Sequence, residues 1–417
     1  MRRVMRGRWL ACLVVSALGV AACGGSGGSG SSSGSPIKVG GILPFTGVFA
    51  PNAADLKAGW DLAAKDFGTK VDGHPIQSTF LDAHSDPNAG LSDARQLVDS
   101  NHVNVLIGPI TASVGLSVRS IVASSGVPTL YPSACPDELA TTDKLPNMVM
   151  TGWTCDQPTL NFGKYVYDKL GYHHVTTIGL DYAFGWQVIG GFVATFEKAG
   201  GTIDKKIWAP INTEDYSPYV SEVSSNTQAV FALMAGSASV RFTQAYKAFG
   251  LKGKIPLIGG GTLTDYSAMR SEAPDTVLGV ITALQYADGL NTPENNKFVS
   301  EYKAATGHYP SYYASTGYTT YEFLYKSLQS VHGDVSKRAG LVKAFKTVKV
   351  VSPKGPIKIS STTNSPIQNI YIRKVEMVNG ALRNEVIATI QNSPPWGPLT
   401  ESEWLKLATS YTRDNPA

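Results

Sequence analysis

From Ile37 onward the chain alternates short apolar runs with stretches of helical period, and this rhythm runs twice. In the first series, residues 37–43, 76–81, 103–107 and 127–131 read as strands. Between them, Leu56, Trp60, Ala63, Ala64 and Phe67 fall on one helical face of 55–67, and Asp86-Pro87 supplies an N-cap and a first-turn proline. The rhythm restarts after Cys155, with strands expected at 175–180, 202–208, 229–234, 256–258 and 279–284 and helices at 159–170, 185–199 and up to 249. Such alternation builds parallel sheets covered on both faces. Two series predict two similar α/β lobes. Helices then dominate 293–347, and strands return at 356–360, 368–375 and 385–390. The tail from Ser393, with Pro394-Pro395-Trp396, reads as a surface extension.

The amino terminus reads as an export signal. Arg2, Arg3, Arg6 and Arg8 precede an apolar run from Trp9 to Val20, too short to span a bilayer. Without these four arginines, 32 basic residues face 32 acidic ones, so the mature chain carries no basic excess to favour nucleic acid. Hydrophobic content of 43% excludes wholesale disorder. Val20-Ala21-Ala22-Cys23 resembles a lipobox, which places a lipid on Cys23. Gly24 to Ser35 contains only Gly and Ser, a flexible tether of roughly 20 Å. With Cys23 lipidated and Cys12 lost with the signal, Cys135 and Cys155 remain. An even pair in an exported chain points to a disulfide over free thiols or a metal site, because no His or further Cys stands nearby at ligand spacing. The seven histidines show no metalloprotease spacing, and nothing identifies a catalytic group, cofactor or metal site.

In doubly wound sheets, ligands bind beyond the carboxyl ends of the strands. That rule selects the loops at 44–47, 109–113, 132–134, 181–185, 236–237 and 259–262. They are rich in hydroxyls, aromatics and glycines and poor in charge, a composition suited to holding a small molecule.

The order of these segments carries a resemblance. Val39-Gly40-Gly41-Ile42-Leu43-Pro44-Phe45-Thr46-Gly47, Leu81-Asp82, Ser85-Asp86-Pro87, Leu106-Ile107-Gly108-Pro109, Gly126-Val127-Pro128-Thr129, Pro132-Ser133-Ala134, Asp181-Tyr182-Ala183-Phe184-Gly185 and Tyr309-Pro310-Ser311-Tyr312-Tyr313-Ala314 follow one another as in the leucine/isoleucine/valine type of periplasmic binding protein. The chain resembles that family from about residue 37 to 390. The likeness implies two Rossmann-like lobes joined by a three-crossing hinge, with the ligand cleft between them. Lobe 1 would take 36–152 and 284–363, and lobe 2 would take 153–283 and 364–392, leaving 393–417 as an extension. It further implies a monomeric solute receptor, tied to the membrane by its lipid, that delivers a small molecule to an ABC permease. A sensor feeding a separate signalling partner is the alternative.

By the same likeness Thr111, Ala112, Ser113, Ser133 and Ala134 would hold a ligand carboxylate, although Thr111 and Ser113 suit helix capping equally well. Phe45, Tyr182, Phe184 and Tyr313 would contact the ligand body, and Trp186 and Tyr312 would pack. Two departures stand out. Cys135 falls where the family commonly has a threonine. Gly261 falls where an acidic residue grips the ammonium of amino-acid ligands, and no Asp or Glu lies between Ala235 and Thr264. The ligand expected is therefore a small apolar or aromatic carboxylate or amide, with an α-amino acid not required.

Overall fold

The computed structural model describes residues 34–413. The export signal, Cys23 and most of the Gly/Ser tether lie outside the described residues. Six strands form the first sheet: β1 (Ile37–Leu43), β2 (Lys70–Val71), β3 (His74–Asp82), β4 (Val105–Ile107), β5 (Thr129–Tyr131) and β6 (Met148–Met150). Their order is β2-β3-β1-β4-β5-β6, parallel throughout except for the β2–β3 hairpin. Six of the seven residues of β1 are buried, as expected of a central parallel strand covered on both faces.

The second sheet begins with β7 (His174–Leu180), β8 (Thr202–Ala209), β9 (Ala229–Leu233), β10 (Leu257–Gly260) and β11 (Ile281–Leu284), parallel in the order β8-β7-β9-β10-β11. The chain then makes β12 (Val350–Ser352), β13 (Gly355–Ile359), β14 (Pro366–Val378) and β15 (Ala381–Ser393). β14 runs antiparallel to β11 on one side and to β15 on the other. Both sheets are doubly wound: β1 lies between β3 and β4, and β7 lies between β8 and β9. Each sheet thus has a switch point where connections diverge to opposite faces and leave a crevice.

The segments between the sheets are bound to one another by side chains. The Gln157 amide donates to Pro366 O and Ser393 O, and the Gln368 amide donates to Gly152 O and Gln157 Oε1. Lys354 is fully buried, and its amine donates to the carbonyls of Thr151 and Gly152. Burial pulls its pKa down to about 7.

Two helices pack unusually closely over the first sheet. A Cβ built on Gly59 would lie 1.9 Å from Ala314 O, and one built on Gly317 would lie 2.0 Å from Leu56 O. These reciprocal glycines let the Ala50–Phe67 helix touch the Tyr312–Ser330 helix backbone to backbone.

The tail departs from expectation. Residues 393–413 do not merely extend over the surface, because a Glu401–Leu407 helix with a Thr400/Glu403 capping box docks inward. Trp404, Ala408 and Tyr411 are buried. Trp404 Nε1 donates to Asp156 Oδ2 at 2.7 Å, and the Tyr411 hydroxyl donates to the same oxygen at 3.2 Å. One seven-residue helix carries too short a period to announce itself in the sequence.

Candidate functional site

The carboxyl ends of the strands at the two switch points converge on one enclosed cavity. Phe49 reaches it from the connection after β1, and Ile110, Thr111 and Ala112 reach it from the connection after β4. Ser133 and Cys135 follow β5, and Trp153 follows β6. The other wall is formed by Tyr182 and Phe184 after β7 and Ala235 after β9, with Tyr313 at the start of its helix. The lining carries five aromatic rings and no charged side chain. Its enclosed volume is about 20 Å³, room for roughly one water, so a ligand of several carbons enters only when the walls part.

The rings brace one another. Trp153 packs against Phe184 and Tyr312 with centroid separations of 5.7 and 5.4 Å, and its indole N–H donates to Ser133 O at 2.8 Å. Tyr182 lies 5.9 Å from Phe184, and Tyr312 lies 4.9 Å from Tyr313. Burial pushes the Tyr182 and Tyr313 phenols well above their ordinary range, so both remain neutral donors.

Thr111 makes no use of its hydroxyl as a helix cap. It is the N-cap residue of the Ala112–Ser117 helix, yet its side chain makes no capping bond. Its hydroxyl is buried without a hydrogen-bond partner among the described residues. An unmatched buried hydroxyl costs about 1–3 kcal/mol, and a ligand oxygen would remove that cost. Ser133 is buried beside the Tyr312 phenol.

Of the ten sequence candidates, Thr111, Ala112, Ser133, Tyr182, Phe184 and Tyr313 line the cavity. Phe45, Ser113, Ala134 and Gly261 do not. Phe45 is half-buried four residues before Phe49, the ring that does reach in. Ser113 is half-buried, one residue past Ala112 in the first turn of its helix. Ala134 sits under Gly115, with its N–H bonded to Pro109 O. Gly261 is wedged against Leu284, and its carbonyl accepts from Arg373. Trp186, expected to pack, donates its indole N–H to Asp181.

An acid stands just past the glycine loop, but it is committed. Asp265 is buried, and its Oδ1 accepts from the N–H and hydroxyl of Ser267. Its Oδ2 accepts from the Tyr312 N–H at 2.7 Å, across from the opposite wall. Further bonds join the same two walls: Asn52 Nδ2 to Ser267 Oγ at 3.1 Å, and the Arg270–Asp55 ion pair at 2.9 Å.

Cys135 and Cys155 form a disulfide with Cα atoms 4.8 Å apart, tying the loop after β5 to the segment that leaves the first sheet. Closing a loop of this length contributes about 3 kcal/mol. A Cys135→Ala/Cys155→Ala chain should therefore lose about that much stability in urea unfolding. A loss below about 1 kcal/mol would show that the bond constrains little.

A wider surface concavity of about 440 Å³ lies elsewhere, beside Gly126, Pro146 and Asn147. It is at the amino ends of β5 and β6, opposite to the switch-point loops.

Comparison with known proteins agrees with this geometry. A family model described as periplasmic binding protein matches residues 36–381. The Leu/Ile/Val-binding protein homolog 6 of Brucella melitensis is 32% identical over 365 residues, covering 85% of this chain and 92% of that protein. Two solved structures from Rhodopseudomonas palustris, both solute-binding proteins of ABC transporters, are each 29% identical. The one in complex with benzoate covers 87% of this chain and 100% of its own, at a TM-score of 0.80. The one in complex with 3,4-dihydroxybenzoic acid covers 87% and 98%, at 0.82.

Proposed function

Since the chain belongs to the periplasmic binding protein family, as an extracytoplasmic solute-binding protein that serves an ABC permease, we propose that its ligand is a small aromatic carboxylate. The observation that carries this reading is the lining: five rings, one unmatched buried hydroxyl at Thr111, and no free acid. Rings in such a cleft would sandwich a planar body, with burial worth about 25 cal/mol per Å². The hydroxyls of Thr111 and Ser133 and nearby backbone N–H groups would receive the carboxylate. An α-ammonium would meet no acid in the lining, and Asp265, outside it, already accepts three hydrogen bonds. Burying it unpaired costs several kcal/mol, against the roughly 8 kcal/mol of a micromolar complex. The benzoate and dihydroxybenzoate complexes of the two relatives support the same class of ligand.

Calorimetry tests the proposal. Benzoate, hydroxybenzoates or phenylacetate should bind at micromolar Kd or tighter, and phenylalanine and leucine at least about a hundredfold more weakly. Thr111→Val should weaken the acid by roughly ten- to a hundredfold, the worth of a hydrogen bond to a charged group. Submicromolar binding of leucine, with its deaminated analogue silent, would overturn the reading.

We also propose that the body is held at the membrane through lipid on Cys23. The support is Val20-Ala21-Ala22-Cys23 and the Gly/Ser run behind it. Among the described residues no helix is long and apolar enough to cross a membrane. Cys23→Ser should move the protein from the membrane fraction to the soluble fraction. Retention without detergent would refute this anchor.

A further inference from the structure

Between Asp334 and Glu376 the chain contains no acidic residue, although it carries Lys337, Arg338, Lys343, Lys346, Lys349, Lys354, Lys358, Arg373 and Lys374. The mature chain is balanced overall, 32 basic residues to 32 acidic, so this run is a local excess of cations. Lys354 and Arg373 are buried near the crossings. Most of the others gather on and beside the Arg338–Thr347 helix, which contains no acid.

That helix forms one side of the 440 Å³ concavity. Its floor is apolar, from Pro146, Ala339 and Val342, and its rim is cationic, from Arg338, Lys343 and Lys346. Arg338 donates to Ser125 O at 2.6 Å and Lys346 to Pro146 O at 3.4 Å. Lys144 donates to Thr362 O. Carbonyls satisfy these donors but leave the charge unbalanced. Lys346 is held below its ordinary pKa by burial and then by the neighbouring charge of Lys144. Like charges gathered around an apolar floor are unfavourable in the free protein.

The position of this rim limits its partner. The groove residues precede β5 and β6, so they lie at the amino edge of the first sheet. Gly34, the first described residue, lies at the same edge, its N–H bonded to Gly73 O beside the start of β3. β3 and β6 are four strand spacings apart, roughly 19 Å at about 4.8 Å each. The cleft opens from the opposite ends of these strands.

We propose that this edge is a membrane-facing surface, in which the groove and its cations receive the headgroups of anionic phospholipids. Phosphates pair with Arg338, Lys343, Lys346 and Lys144, and the first carbons of the lipid lie on Pro146, Ala339 and Val342. The contact would hold the tethered body in one orientation. The orientation rests on the Cys23 anchor; the surface does not, and its test omits the anchor.

The chain from Gly24 onward, which keeps the whole compact unit, is sedimented with vesicles of phosphatidylcholine alone and with 30% phosphatidylglycerol. Binding to the anionic vesicles should exceed binding to neutral ones at least tenfold and vanish in high salt, as surface charges are screened. Lys343→Glu/Lys346→Glu should reduce it at least tenfold, with Lys343→Gln/Lys349→Gln as the milder pair if the first melts early. Calorimetry of the cleft ligand should not change in either. Equal binding to both vesicles, or variants that sediment like the parent, would overturn the proposal. Displacement by millimolar inorganic phosphate at constant ionic strength would overturn it in favour of a free-anion site. Variants that lose solute uptake in cells while sedimenting like the parent would place an acidic protein surface there instead.

Discussion

Replacing Gly317 with valine should cost about 3 kcal/mol or more and abolish ligand binding at the remaining folded fraction. The new Cβ would stand 2.0 Å from the backbone carbonyl of Leu56, and a backbone atom cannot swing aside as a side chain can. The two helices must separate, losing the packing around Trp60 and Tyr321, whose rings are 4.9 Å apart. Overpacking of this kind costs typically 1–3 kcal/mol and more when the backbone must move. Tyr313 leads the same helix into the cavity, so displacement there reaches the ligand directly. Urea unfolding with Gly340→Ala as control gives the contrast. Gly340 is exposed on the Arg338–Thr347 helix, and its nearest contact would be a side-chain carbon at 3.8 Å. Its replacement should be neutral or slightly stabilising. Equal stability of the two variants would show that the helix contact has slack.

Stability should fall as pH rises from about 4 to about 7, and Asp156→Asn should remove much of that fall. Asp137 and Asp156 are both fully buried, joined where the disulfide brings their neighbours together. Asp156 N–H points at Asp137 Oδ1 at 3.5 Å, and one oxygen of each carboxyl has no hydrogen-bond partner among the described residues. Burial pushes Asp156 up to about 7 against the donation of Trp404 and Tyr411. Burial and the charges of Asp156 and Glu138 push Asp137 up as well. A raised carboxyl means that the native state holds protons the unfolded chain has released. The associated stability is present below the unfolded pKa and is lost as pH rises through the folded one. The two carboxyls share one buried site and titrate together, so the loss belongs to the pair. The asparagine keeps an oxygen for Trp404 and cannot ionise. It should therefore be more stable than the parent by a few kcal/mol at pH 8 and similar to it near pH 4. Glu272, also raised by burial to about 7, cancels in that difference. A gap between parent and variant that does not change with pH would refute the account.

The alternating pattern announced both sheets because parallel strands buried on two faces must be nearly continuous apolar runs. The loops beyond their carboxyl ends then followed from the winding rule, and six of the ten candidate residues do line one cavity. Phe49 escaped notice because the helix expected from Asp55 begins at Ala50, with Pro51 in its first turn. Trp153 escaped because β6 is only three residues long, too short to place the loop after it. Gly261 was placed by family position, but the small residue lets the chain pack against Leu284 and turns its carbonyl to Arg373. Arg373 comes from β14, more than a hundred residues later, and no local pattern reports such a contact. The Asp137–Asp156 pair was within reach. A disulfide between Cys135 and Cys155 forces the residues beside them into proximity, and both acids stand within two positions of a cysteine.

The bond from Tyr312 N–H to Asp265 makes one wall complete the other's secondary structure. Tyr312 is the first residue of a 19-residue helix, and the carboxylate that receives its N–H belongs to the N-cap of a separate helix, Tyr266–Met269. When the walls part, that N–H exchanges its carboxylate for water. The first turn, which bears Tyr313, keeps its own cap, because the Ser311 hydroxyl accepts from the Ala314 N–H. Closure thus adds, from across the cleft, one acceptor for a helix-end N–H that its own wall does not supply.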